Sequence, residues 1–216
     1  MNRFNGLSNV ADGRRTNPER SAQTRAQILD AAIACLHLHG YGAVTNHRLA
    51  DMADVSRGAV LHHFPTRQDL LVAVIAHAHA KQRVYTEERL AGLKPGLERL
   101  YALLDIAWER QRLPEGLTLI EIRMGARSDP EIAAAVQPHF IRIANDYGRF
   151  VGGIVKEAGL VSDEEMKGFQ ATMAMATRAL AIDRFTHPSP EMVELVHTSL
   201  RSTLAGIVER QLARKG

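Results

Sequence analysis

Between Thr45 and Arg67 the chain carries two short helix-forming runs around a corner, each with its own capping residue, and this stretch constrains the fold more than any bulk property. Thr45 stands before a run in which Leu49, Met52 and Ala53 recur at helical spacing, and Ala50 is small enough to let a second helix cross closely. Asp54 and Val55 make the corner. Ser56 is a second N-cap, and the run behind it, Arg57 to His63, is too short to be stable by itself and must be held by its neighbours. This is the pattern of a helix-turn-helix, whose second helix offers its first turn to the major groove, where Ser56, Arg57 and the side-chain-free Gly58 can lie against phosphates and base edges.

The flanks extend the pattern over roughly residues 20–75. Upstream, Thr24 and Arg25 are followed by Ile28, Leu29, Ala31 and Ala32, with Gly40 and Tyr41 closing the helix before Val44 and Thr45. Downstream, His62, His63, Phe64, Pro65, Thr66 and Arg67 lead into Gln68, Asp69, Leu70 and Leu71. In order and spacing these residues resemble the DNA-binding domain of the TetR family of bacterial transcriptional regulators. Two departures stand out. Asp54 occupies the corner where the family usually has Gly, and its short polar side chain still tolerates the left-handed conformation. Leu61 replaces a Tyr whose hydroxyl typically meets a phosphate, so that contact is lost or gives way to apolar packing, for example against a thymine methyl.

The motif and the resemblance together put Arg20, Arg25, Thr45, Asn46, His47, Ser56, Arg57, Gly58, Ala59, His62, His63 and Arg67 on the DNA side. His47, His62 and His63 add charge there below about pH 6.5. Charge alone would not announce nucleic acid, because Lys plus Arg exceed Asp plus Glu only by 27 to 24. Residues 1–19 are polar and read as a disordered arm whose Arg14 and Arg15, with Arg20, could reach a phosphate or the minor groove.

Apolar residues make up 45% of the 216, enough for a substantial core. The single Cys35 excludes an internal disulfide and sits in the apolar run Ala31 to Leu36, as a core residue would. No signal-like apolar start appears, and no run reaches the roughly 18 apolar residues of a membrane span, so the sequence reads as cytoplasmic. The pairs His37/His39, His62/His63 and His77/His79 are spaced one or two apart, which on a helix turns them to different sides; no metal site, catalytic constellation or cofactor loop is expected.

The expected fold class is all-α: a three-helix DNA-binding domain over 20–66, and a helical effector-binding and dimerisation domain over 67–213. Thr66 caps a helix running toward Leu90, and Pro95 opens one carrying Leu97, Leu100, Tyr101, Leu104 and Trp108. Pro114 and Gly116 interrupt before a short helix from Leu117 to Arg127. Asp129 and Pro130 start a long helix ending at Gly159. Two more follow, Ser162 to about Phe185 and Ser189 to about Leu212, each apolar over a wide arc, as happens in helices that are central or shared with another chain.

The resemblance implies that these last two helices pair with their copies in a homodimer, and that the second domain encloses a cavity for a small-molecule effector. The candidate lining is Tyr101, Trp108, Met124, Phe140, Tyr147, Met173 and Arg178, which favours a largely apolar, aromatic-bearing molecule with one or two polar groups. The expected function is a homodimeric repressor released from a palindromic operator by that effector, with the helix from Thr66 as the lever. Two readings stay open at this point: a ligand-independent architectural DNA-binding protein, and an enzyme using the cavity.

Overall fold

The computed structural model describes residues 16–214, which form nine α-helices and one 3-10 turn. Helix α1 spans Asn17–His39. It begins earlier than expected: Thr16 and Glu19 form a capping box in which the Glu19 carboxylate accepts the Thr16 N–H at 2.7 Å, and Pro18 suits a first turn that needs no N–H. Residues 17–19 are therefore helix rather than arm; Arg14 and Arg15 lie outside the described residues. Gly40 turns the chain at φ 76° into the 3-10 turn Tyr41–Ala43.

Helix α2, Asn46–Ala53, and helix α3, Arg57–His63, form the expected motif. The Thr45 and Ser56 hydroxyls accept the N–H groups of Arg48 (3.2 Å) and Ala59 (3.1 Å). Asp54 takes the left-handed conformation at φ 53° and ψ 49°, the one positive φ of a non-glycine among the described residues. Leu49, Ala50 and Ala53 are buried as expected, but Met52 is 37% exposed, because α2 has only one face against the core.

Helix α4, Arg67–Ala91, starts from a Thr66/Asp69 capping box. Helices α5, Leu97–Arg112, and α6, Pro114–Ala126, follow. Gly116, expected as a break, lies inside α6, where a side chain would strike the backbone of Arg110 and Gln111. Helix α7 runs Pro130–Glu157, α8 Glu164–Asp183 and α9 Pro190–Ala213.

Two large apolar clusters organise these helices. The first joins α1 to α4 with Leu119 and Ile122 of α6 and Ile132 and Val136 of α7, so it continues past residue 66 into the region assigned to the second domain. The other joins Leu90 of α4 to α5, the C-terminal part of α7, Met166, Phe169 and Met173 of α8, and Leu200, Leu204, Ile207 and Val208 of α9. Helix α4 belongs to both, its first half to one and its end to the other.

Candidate functional site

The motif's outer face is assembled from the two helix starts. Thr45, His47 and Arg48 on α2 and Ser56, Arg57, Gly58, Leu61 and His62 on α3 are all exposed, while Val60 on the opposite side of α3 is fully buried. A Cβ at Gly58 would meet nothing closer than the Ser56 hydroxyl at 3.7 Å, so the protein itself does not require glycine there. Asn46, Ala59 and His63 are half-buried at the edge of this face. Burial first, then the neighbouring His62 and Arg25, hold His63 below the ordinary histidine range, so its expected gain of charge comes at lower pH than for a free imidazole. Arg48 belongs to this exposed face and was not among the sequence candidates.

Arg57→Ala is expected to weaken specific DNA binding by about 1–3 kcal/mol if the side chain reads a base, or to lower the salt slope by about 1 if it meets a phosphate. Fluorescence anisotropy across a salt series checks this; unchanged affinity and slope would remove Arg57 from the interface.

Two sequence candidates serve the fold. The Arg67 guanidinium donates to the Val44 carbonyl at 2.7 Å and the Tyr41 carbonyl at 3.0 Å, and lies 4.5 Å from the Tyr41 ring centroid. It braces the loop before α2. Arg25 is exposed but sits over the Phe64 ring at 5.1 Å, which fixes the exit of α3. Arg20 is exposed on the first turns of α1. Cys35 is buried as expected, its thiol facing the Ala43 carbonyl at 3.7 Å and pushed up by burial.

Above this unit, residues of α4, α5, α6, α7 and α8 line a cavity of about 300 Å³ that opens to solvent on one side. Of the expected lining it contains Tyr147, Met173 and Arg178. The other four lie elsewhere. Trp108 packs against Leu117, Ile120 and Ala181, Tyr101 packs into the cluster around α5 and α9, and Met124 is 53% exposed. Phe140 faces away from the cavity but carries the Arg123 guanidinium 3.7 Å above its ring. Helical spacing put these side chains on apolar faces without showing which of those faces meet another helix and which face the gap.

What the sequence reading missed is the cation content. Arg110 of α5 and Arg123 of α6 line the cavity together with Arg178. Arg110 and the buried Gln82 of α4 are joined reciprocally: the arginine donates to the Gln82 side-chain oxygen at 3.1 Å, and the Gln82 amide donates to the Arg110 carbonyl at 3.2 Å. Burial, with Arg178 nearby, brings Arg123 down to about 10, and burial also lowers Arg178. Burial raises the Tyr147 hydroxyl, against the opposing influence of Arg110. The histidine pair on α4 diverges as the spacing requires: His77 faces Asp30 on α1 at 2.9 Å, and His79 lines a groove between α4 and α7.

Helix α6 connects the cavity to the motif. Arg123 and Leu119 face the cavity, while the Glu121 carboxylate accepts the Tyr41 N–H at 2.8 Å and the Thr118 hydroxyl donates to the Ile33 carbonyl at 3.2 Å. Gly125 lies against the Tyr41 ring. Helix α6 thus touches both α1 and the loop leading into α2.

The sequence profile of the bacterial regulatory proteins of the tetR family matches residues 28–74, the stretch that builds α1 to α4. Across 194 residues the chain is 29% identical to the HTH-type transcriptional regulator CymR of Pseudomonas putida, covering 86% of this chain and 91% of that protein. It is 27% identical over 194 residues to the HTH-type transcriptional repressor AcnR of Corynebacterium efficiens, covering 85% and 95%. In fold it is similar to a transcriptional regulator from Saccharomonospora viridis solved in complex with choline, with a TM-score of 0.67 and 16% identity over 85% of this chain and 96% of that one. The capped motif, the left-handed corner and these relatives of matching length agree: the chain belongs to the tetR family of bacterial regulatory proteins and is a DNA-binding transcriptional regulator, not an enzyme.

Proposed function

We propose that this regulator is a homodimeric repressor acting in the cytoplasm, that two copies hold a palindromic operator, and that a small molecule entering the α5–α8 cavity releases it. The observation that carries this reading is the mechanical continuity between cavity and motif. Two helices link them: α6 through Glu121 and Thr118, and α4 through the Gln82–Arg110 pair at the cavity and the Arg67 brace at its start. A ligand that prefers one placement of α6 draws population from the other, and coupling of about 1–3 kcal/mol would be typical. The repressor name of one relative and the bound choline of a structural neighbour support the reading.

A dimer is supported by unpartnered apolar surface on the last two helices. Met175 and Ile182 are 65% and 47% exposed on α8, and Phe185 just beyond it is 65% exposed. On α9, Met192, Leu195, Ser199 and Ser202 form one exposed stripe at helical spacing. Thr177 and Ala181 of α8, by contrast, are buried within the protomer. Deleting α9 would also remove Leu200, Leu204, Ile207 and Val208 from the protomer's own core. Leu195→Glu is the cleaner change, because Leu195 is already 61% exposed. It should leave the helical circular dichroism signal intact and shift the sedimenting species from dimer to monomer; an intact dimer would place the interface elsewhere.

The effector reading is tested by operator release with fractionated small-molecule extracts, comparing wild type with Ala174→Phe, which fills the cavity from α8. A fraction that releases wild type but not the variant is expected. Equal release of both, or release by no fraction, would contradict the reading.

A further inference from the structure

We propose that the effector of the α5–α8 cavity is a small organic carboxylate of about one-ring size, its carboxylate held between Arg123 and Arg178 and its apolar body against Leu119, Ala107 and Met173. The proposal deepens the effector reading and rests on it. Three guanidinium groups line the cavity, and none of its lining residues among those described is Asp or Glu. Lys167, at the rim, is already tied to Glu164 at 2.9 Å. Arg178 has no hydrogen bond or ion pair among the described residues. Arg123 is satisfied only by the Leu119 carbonyl at 3.0 Å and the face of Phe140.

Two buried donors among the lining residues lack partners as well: Nε of Arg110 on α5 and the side-chain nitrogen of Gln170 on α8. A buried donor without an acceptor is costly, and the half-buried Arg123 and Arg178, close enough for the second to disfavour the charge of the first and with no carboxylate among the lining residues, add to that cost. That cost is retained where a ligand supplies the missing charge, and a carboxylate matches guanidinium geometry bidentately. The downward influence of Arg178 on Arg123 agrees, since an anion between them would raise Arg123 again. The volume, about 300 Å³, and the apolar Leu119, Ala107, Ile143 and Met173 walls favour a compact hydrophobic acid over an inorganic anion or a nucleotide.

Isothermal titration and thermal-shift measurements on the full chain would use benzoate, 4-methylbenzoate and phenylacetate, with benzamide as the neutral counterpart of benzoate and inorganic phosphate as the anion without an apolar body. At least one carboxylate should bind, with benzoate at least tenfold tighter than benzamide and no appreciable binding of phosphate. Affinity should be flat between about pH 6 and 8, where carboxylate and guanidinium are both fully charged. Arg178→Gln should weaken the bound carboxylate at least tenfold, Arg178→Lys should recover part of the loss, and neither should alter operator affinity without ligand.

Binding of none of the carboxylates, tighter binding of phosphate, equal binding of benzamide, or an unchanged affinity in Arg178→Gln would overturn the proposal. Because binding is read without DNA, such a failure is separate from the effector reading: operator release by a neutral extract component, blocked by Ala174→Phe, would leave that reading standing.

Discussion

Gly116→Ala is expected to destabilise the protein by about 3 kcal/mol or more, lowering the melting temperature by roughly 6–12 °C for a chain of this size. A Cβ at Gly116 would stand 2.3 Å from the Arg110 carbonyl oxygen and 2.7 Å from the Gln111 Cα. Both are backbone atoms of the last turn of α5, so no rotamer change relieves the contact. The α5–α6 corner would have to open, and Arg110 would be carried away from Gln82. Loss of effector response should therefore accompany the loss of stability. An unchanged melting temperature would show that α5 and α6 do not cross as closely as described.

The second large effect is expected at Gly125, where α6 meets the DNA-binding unit. A methyl group there would fall 2.5 Å from three atoms of the Tyr41 ring, and the Arg67 guanidinium lies at the ring's face. Gly125→Ala should cost about 1–3 kcal/mol of stability and displace the loop that leads into α2, lowering operator affinity as well. The cost should largely vanish in a Tyr41→Ala background, because the three nearest atoms all belong to that ring; chemical denaturation of both single variants and the double variant measures the coupling. Additive costs would mean that Tyr41 is not the partner of Gly125.

The DNA-binding half was legible because its signals are local. Thr45, Ser56 and Thr66 each cap the helix that the sequence assigned to them, and Asp54 accepts the left-handed corner in place of glycine. The start of α1 was also written locally, in Thr16, Pro18 and Glu19, but the polar composition around it masked a capping box. The bracing role of Arg67 went unread for a different reason. An arginine beyond a recognition helix looks like a phosphate contact until the Tyr41 and Val44 carbonyls that claim it, more than twenty residues earlier, are brought alongside by the fold.

The cavity was least legible because it depends on how five helices pack. Tyr147, Met173 and Arg178 share it, but Trp108 and Tyr101 sit on faces that meet other helices. Arg110 and Arg123 look like solvated positions near helix ends. Only the gap between α7 and α8 turns them inward, and nothing in a one-dimensional pattern reports a gap.

The most direct measurement of the account as a whole is selection of bound sites from a random-sequence duplex pool by the purified full chain, followed by titration of the recovered sites. The account predicts an inverted repeat with half-sites about one helical turn apart or a multiple of it, bound by one dimer per site, with affinity for that repeat falling in Arg57→Ala. Recovery of no enriched sequence, or of a single asymmetric site that Arg57→Ala binds as well as wild type, would contradict it.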